Sequence, residues 1–379
     1  MTTHVTTSAV EALPPRGPAY RWNSDQQIVG YRERARIEPV RVVARGPQTQ
    51  PLPVSVRGIS PRWMWNGQAM DVDRYMTEAR VSGVVVLKDR EILLERYGLG
   101  RTEKHRWDSQ SVTKSVTAIL VGAAILDGSI RCMDDLVVGY LPELRGSAYE
   151  GVTVRHLLTM SSGVKFDGDY VNADGDGSRL WAEPFVNGLD PMLAYMRRQP
   201  RVEAPGARFA YKDADTDLAG LLVSRAVGTS LSHYLSCKLW QPYGMEKDAY
   251  WMVNPAGNER ANCGLIVALR DLARIGQFLV EGGKAAGQHV VSPEWLKHAT
   301  SEQIPLPPGS SREGLTGYGY FWWTGREYYA ALGHSGQGIF VHPRERVVIA
   351  VNSVWPEPNT DAHRQAMGAF IHALIEAAA

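Results

Sequence analysis

Val81-Ser82-Gly83-Val84-Val85-Val86-Leu87-Lys88-Asp89-Arg90-Glu91-Ile92-Leu93-Leu94-Glu95-Arg96-Tyr97 holds two β-rich runs, 81–87 and 92–97, around the polar tetrad Lys88-Asp89-Arg90-Glu91. This is a hairpin signature, and it predicts the start of an antiparallel sheet. Strand patterns return only near the other end of the chain, at 318–323, 328–332, 339–342 and 347–352, with Pro343-Arg344-Glu345 dividing the last two. A sheet built from both ends must carry the intervening chain as an insertion. The predicted class is therefore α+β: an antiparallel sheet flanked by helices, with an inserted, mostly helical domain and a cleft between the two.

Working outward, a short helix is expected over 70–79 and a largely buried one over 111–126, capped by Asp108 or Ser109 and closed by Asp127-Gly128. Helical segments at 154–160, 191–198 and 215–227 follow, the last stopped by Gly228. Apolar residues at 269, 272, 275, 276, 279 and 280 define an amphipathic helix ending at Gly282-Gly283, and a final helix is expected over 361–377. Residues 1–65 are proline-rich without either period and read as an extended arm wrapped over the body by Trp22, Trp63 and Trp65. The expected organisation is thus an arm over 1–65, a sheet-bearing region over 66–110 and 255–379, and a helical domain over 111–254.

The 379 residues carry 41 Lys+Arg against 40 Asp+Glu, and this balance supplies no field for nucleic acid or an anionic membrane. Residues 1–20 lack the apolar core of an export signal, and the most hydrophobic stretch, 115–126, is shorter than the roughly 20 residues of a membrane span. The expected compartment is cytoplasmic. Cys132, Cys237 and Cys263 form no C-x-x-C pair, the histidines show no His-x-x-x-His pair, and no glycine-rich phosphate loop occurs. No cofactor or metal is expected. The expected partner is a small-molecule substrate, with homodimerisation left open.

Three patterns compete to present a nucleophilic serine. Gly333-His334-Ser335-Gly336-Gln337-Gly338 nearly spells the elbow Gly-x-Ser-x-Gly but fails at Gln337, and it runs on into a hairpin where an elbow needs a helix. Ser162 and Lys165 form a Ser-x-x-Lys pair, yet Gly163 ends the helix there. Ser111 and Lys114 form the same pair on a helix-forming run, where positions i and i+3 share a face. The helix N-terminus would depress the lysine pKa and hold an oxyanion, so that a neutral Lys114 takes the serine proton. The plain alternative leaves Ser111 packing a helix start with Lys114 in solvent. Against it, Lys114 is the lone charge between Asp108 and Asp127.

Further segments extend this reading. In order and spacing, Ser111-Val112-Thr113-Lys114-Ser115, 154–163, Pro205-Gly206 before Phe209-Ala210-Tyr211, Arg270-Asp271-Leu272-Ala273-Arg274 and His334-Ser335-Gly336 resemble the serine β-lactamase-like family of class C enzymes, penicillin-recognising peptidases and esterases. Gly168-Asp169-Tyr170-Val171-Asn172 and Ala261-Asn262-Cys263-Gly264 are most similar to its 6-aminohexanoate-dimer hydrolase branch. The resemblance implies a β-lactamase/transpeptidase-like fold and a serine hydrolase that forms an acyl-enzyme. By it, Ser111 is the nucleophile, Lys114 its base and Tyr211 a proton shuttle. The N–H groups of Ser111 and Gln337 are the oxyanion donors, Tyr170 caps the cleft and bonds the scissile nitrogen, and Asn262 lies beside the substrate.

Two departures qualify what the resemblance implies. Tyr211-Lys212-Asp213 puts a carboxylate where the family commonly has a neutral amide facing substrate, and His334-Ser335-Gly336 replaces Lys-Thr-Gly. A largely neutral histidine attracts a β-lactam carboxylate weakly, so linear amides or esters are the expected substrates. The rival readings are a carboxylesterase with little amidase activity, and a sensor-like protein that binds or stalls without turnover. The segment 172–183 partly fits a calcium loop but carries Arg179 where an apolar residue belongs, and reads as a polar loop at the cleft mouth.

Overall fold

The computed structural model describes residues 12–310 and 312–379. Eight strands form one antiparallel sheet in the order Ile304–Pro305, Gly317–Tyr318, Trp323–Thr324, Tyr329–Gly333, Gln337–His342, Val347–Ser353, Val81–Lys88, Glu91–Tyr97. The C-terminal strand Val347–Ser353 pairs with Val81–Lys88, so the two ends of the chain meet as the patterns predict. All seven residues of Val347–Ser353 are buried, as a strand covered on both faces must be. Helices Leu269–Val280 and Asp361–Ala378 both pack on this central pair. Gly276 lets the first of them lie close, since a Cβ there would fall 2.4 Å from Val348.

The predicted strand over 318–323 is instead a small hairpin: Gly317–Tyr318 pairs back on Trp323–Thr324, with Phe321 at φ 58° in the turn. Docking explains it. The Phe321 carbonyl accepts a hydrogen bond from Ser115 Oγ at 2.6 Å, tying the turn to the buried helix Val112–Leu126. The expected helix over 70–79 also starts later: Gln68–Asp71 is a strand paired with Arg62–Trp65, and Asp71 then caps Val72–Glu78 by accepting from Arg74 N. Within the helical unit, Val112–Leu126 packs on Asp213–Val227, whose stop at Gly228 is left-handed as expected.

The arm is not simply extended. Asn23 and Gln26 form a reciprocal capping box that starts the helix Ser24–Arg32, and Val40–Val43 joins a second sheet by pairing with Ala249–Met252. The helix shows no clean period because the residues it buries are Gln27, Gly30 and Tyr31. Tyr31 packs edge-on against Trp107 at 5.8 Å in a small core with Ala19, Trp22 and Val354. Trp22 is thus buried, while Trp63 and Trp65 pack half-buried on the main core. Residues 1–11, which open the stretch read for an export signal, lie outside the described residues. Among the described residues no helix is long and apolar enough to cross a membrane, and the three cysteines are free.

Candidate active site

The strand Arg106–Asp108 ends in a turn that delivers Ser111. Asp108 does not cap the helix; its carboxylate accepts from Gln110 N at 3.0 Å and from Gln110 Nε2 at 2.7 Å. Ser109 makes no cap either: its Oγ lies 3.2 Å from Thr113 Oγ1. Gln110 takes φ 50°, and Ser111 follows in helical conformation as the residue before Val112. Gly333 makes room for this turn, since a Cβ there would fall 2.8 Å from the Ser109 carbonyl oxygen. Ser111, Tyr211, Asp213, Trp323, His334 and Gln337 then line a common cavity of about 220 Å³ between the helical unit and the sheet.

Lys114 lies one turn into the helix and is 1% exposed. Its ammonium donates to Ser111 Oγ at 2.8 Å and to the Asn262 carbonyl at 2.9 Å, and it contacts Asp213 Oδ1 at 2.6 Å. These three acceptors account for all three N–H bonds of an ammonium. Burial alone would lower the Lys114 pKa, but the charge of Asp213 and the Tyr211 hydroxyl reverse that effect and hold it above the ordinary lysine range. The expectation of a neutral resting lysine is therefore corrected. The N-terminus of Val112–Leu126 does not decide the charge, because a buried carboxylate sits in direct contact.

Tyr211 turns its ring toward the same ammonium, with the centroid 5.0 Å from Nζ, and stacks on Trp323 at 5.9 Å. Lys212 is directed elsewhere, donating to Ser162 Oγ at 3.2 Å and to the Val164 carbonyl at 2.8 Å. Asp213 opens the helix Asp213–Val227, where the helix dipole favours a carboxylate. It lines the cavity, as expected of a substrate-facing residue, and its Oδ1 is also in contact with Lys114.

The remaining predicted residues divide. Asn262 offers Lys114 its backbone carbonyl, while its side chain and N–H are both held by Asp217. The Gln337 amide is fully engaged: Nε2 donates to the carbonyls of His334 and Ser353, and Oε1 accepts from Trp107 Nε1 and Asn352 Nδ2. Only its backbone is left for a substrate. The N–H of Ser111 has no acceptor among the described residues. His334 lines the cavity, and burial pushes its imidazole down to about 4 against the pull of Asp213, so it is neutral at pH 7. Ser335 is fully buried at φ 58° between two antiparallel strands, a setting that excludes a nucleophile elbow; Gly336 follows at φ 85° and also lines the cavity.

Tyr170 is not on the wall of this cavity. Its ring stacks on Tyr20 of the arm, with centroids 5.2 Å apart and planes within 7°. Tyr20 lines the cavity in its place and packs at 4.2 Å on His334. Arg21 fixes the arrangement by donating to the Tyr170 carbonyl at 2.9 Å and to Ser178 Oγ at 3.0 Å. Tyr20 is a site residue that the sequence reading missed, because it lies in an arm without either apolar period. No group of three or more His, Cys, Asp or Glu is arranged to hold a metal among the described residues. In the 172–183 loop, Asp174 pairs with Arg179, and Asp176 accepts from Tyr195 Oη at 2.7 Å.

Comparison with known proteins shows the family. Residues 70–374 match the Beta-lactamase family, and the chain belongs to that family of serine hydrolases. More particularly, it is similar to the 6-aminohexanoate-dimer hydrolase of Paenarthrobacter ureafaciens, 31% identical over 310 residues that cover 76% of each chain. It is also similar to esterase EstB of Burkholderia gladioli, 31% identical over 258 residues, 62% of this chain and 58% of the esterase. Among solved structures, a Bacillus anthracis protein assigned as a 6-aminohexanoate-dimer hydrolase superposes with TM-score 0.81 at 20% identity, over 96% of this chain and 97% of that one. A penicillin-binding protein homologue from Pyrococcus abyssi gives 0.62 at 22% identity, over 78% of this chain and 75% of that one. At such identities the structural likeness establishes the fold.

Proposed function

We propose that the protein hydrolyses small linear amides or esters through an acyl-enzyme on Ser111, in the manner of a 6-aminohexanoate-dimer hydrolase. The observation that carries this reading is the 2.8 Å hydrogen bond from a buried Lys114 to Ser111 Oγ at a helix start that opens on the cavity. Ser111 attacks the carbonyl carbon, and the carbonyl oxygen becomes an oxyanion facing the N–H groups of Ser111 and Gln337. Tyr211, against Lys114, supplies the proton an amine leaving group needs. Water then attacks the acyl-enzyme and releases the acid.

Carboxylesterase action is the second reading, and one observation favours it. Tyr170, the candidate partner for a scissile nitrogen, is stacked behind Tyr20, and an ester oxygen leaves without such a partner. Assaying p-nitrophenyl esters beside the linear dimer of 6-aminohexanoate, on wild type and Ser111→Ala, separates these readings. Ester turnover without dimer cleavage removes the amidase assignment. A persistent adduct on Ser111 in intact-mass spectra, without turnover, removes both in favour of a stalling binder.

A further inference from the structure

The proposed reaction leaves one proton without a destination. Ser111 must lose its hydroxyl proton as it attacks, and the group placed to take it, Lys114, already donates to Ser111 Oγ and the Asn262 carbonyl and forms an ion pair with Asp213 Oδ1. A four-coordinate ammonium has no lone pair to accept with. Lys114 can receive the serine proton only if it releases one of its own. Of its three acceptors, Ser111 is the proton's source and Asn262 offers a neutral backbone carbonyl, a very weak base. The third is a carboxylate oxygen 2.6 Å away, the short separation of a charge-assisted hydrogen bond.

Resting on the acyl-enzyme reading above, we infer that Asp213 is the proton sink of this site, acting through Lys114. As the Ser111 Oγ–carbon bond forms and the carbonyl π pair moves onto oxygen, the Oγ–H proton passes to Lys114 Nζ. In the same motion an Nζ–H proton passes to Asp213 Oδ1. Lys114 ends as it began, an ammonium; Asp213 ends as a neutral carboxylic acid, and the oxyanion carries the negative charge. When the tetrahedral species collapses, the carbon–leaving-group bond breaks with its electron pair. The Asp213 proton then returns through Lys114 to Tyr211, which has given its own proton to an amine leaving group, or passes to water where a phenolate departs as an anion.

The placement of Asp213 suits this task. It is 7% exposed, and it lies at the start of the helix Asp213–Val227, fixed to the backbone within two residues of Tyr211. A neutral amide at this position could hold the lysine but could not take its proton. The carboxylate that sets this chain apart from its family's commoner pattern is thereby given a chemical role. Because Asp213 acts through Lys114, it is a positioning residue and a relay, in no contact with the reacting carbon.

The test is a proton inventory of kcat/KM for p-nitrophenyl acetate in H₂O–D₂O mixtures, which isolates acylation. Wild type should give a bowed dependence, from two protons moving together. Asp213→Asn should lose about 10²- to 10³-fold in kcat/KM, the usual share of general-base catalysis, and give a linear inventory. Asp213→Glu should restore part of the rate together with the bowing. A linear inventory in wild type overturns the inference even if Asp213→Asn does not fold. So does a folded Asp213→Asn, checked by its thermal transition, that keeps wild-type kcat/KM or exceeds it, since Lys114 would then be the complete base. Loss of all turnover in wild type, or turnover that survives Ser111→Ala, instead sinks the acyl-enzyme reading.

Discussion

The chain contains the same tetrapeptide pattern twice, and only one copy makes a reactive pair. In Ser111-Val112-Thr113-Lys114 the serine is helical, the lysine side chain is 2% exposed, and Nζ meets Oγ at 2.8 Å. In Ser162-Gly163-Val164-Lys165 the helix has already ended. Gly163 sits at φ 71°, where a Cβ would fall 2.2 Å from the Glu203 carbonyl oxygen, and Val164 bridges to Arg201. Lys165, half-exposed, reaches Asp176 at 3.4 Å, and Ser162 Oγ is held by Lys212 instead. An i, i+3 spacing unites two side chains only on a helix. Burial then decides whether the amine keeps a fixed partner or a solvated one.

The largest effect that could break this comparison is on the nucleophiles. Ser111→Ala should lower kcat/KM for p-nitrophenyl esters by at least about 10⁴-fold, whereas Ser162→Ala should stay within about threefold. A comparable loss at Ser162 would mean the wrong copy has been chosen. Next come the amines. Lys114→Met should cost about 10²- to 10⁴-fold in steady-state ester hydrolysis, and Lys165→Met should leave the rate near wild type.

A third, smaller effect concerns the arm. Tyr20 forms part of the cavity wall between His334 and Tyr170, so Tyr20→Ala should enlarge the cavity. The ratio of kcat/KM for octanoate over acetate p-nitrophenyl esters should rise by about tenfold, since each methylene newly accommodated contributes roughly 1 kcal/mol or more. An unchanged ratio would show that the arm merely covers the site.

What could be read from the residues follows the same division. The helix over 269–281 was legible because a periodic apolar stripe meets one buried surface, and the hairpin over 81–97 and the last strands because continuous apolar runs, divided by polar turns, fill strands buried on both faces. The arm was not. Its helix buries a glutamine, a glycine and a tyrosine, and its partners Trp107 and Val354 are supplied by distant segments. Ser111 and Lys114 were legible as neighbours because helix geometry is local. The charge state of Lys114 was not, because it is set by Asp213, a contact between residues 99 positions apart that no helix period reports. Tyr170 was placed in the right region but on the wrong side of a ring from the arm.

The smallest expected effect is on stability, and it sharpens the contrast between a buried charge with a partner and one without. Glu313 lines the same cavity, 8% exposed, with Oε2 unpartnered among the described residues. Burial pushes its carboxyl up to about 7, although Arg312 and Arg364 pull the other way. Neither arginine pairs with it: Arg312 lies over the Trp323 ring at 4.6 Å, and Arg364 bonds Asp361. Below about pH 4.5 the carboxyl is protonated both folded and unfolded and has no net effect. As pH rises toward 7 the unfolded chain ionises while the folded one keeps its proton, so folding becomes progressively less favourable, and the penalty levels off above 7. Glu313→Gln should therefore stabilise the protein by about 1–3 kcal/mol at pH 8 and by almost nothing at pH 4.5, as read by urea unfolding at the two pH values. A gain equal at both would show that the change acts through packing. A loss at pH 8 would show that the carboxylate, like Asp213, has a cationic partner in the folded protein.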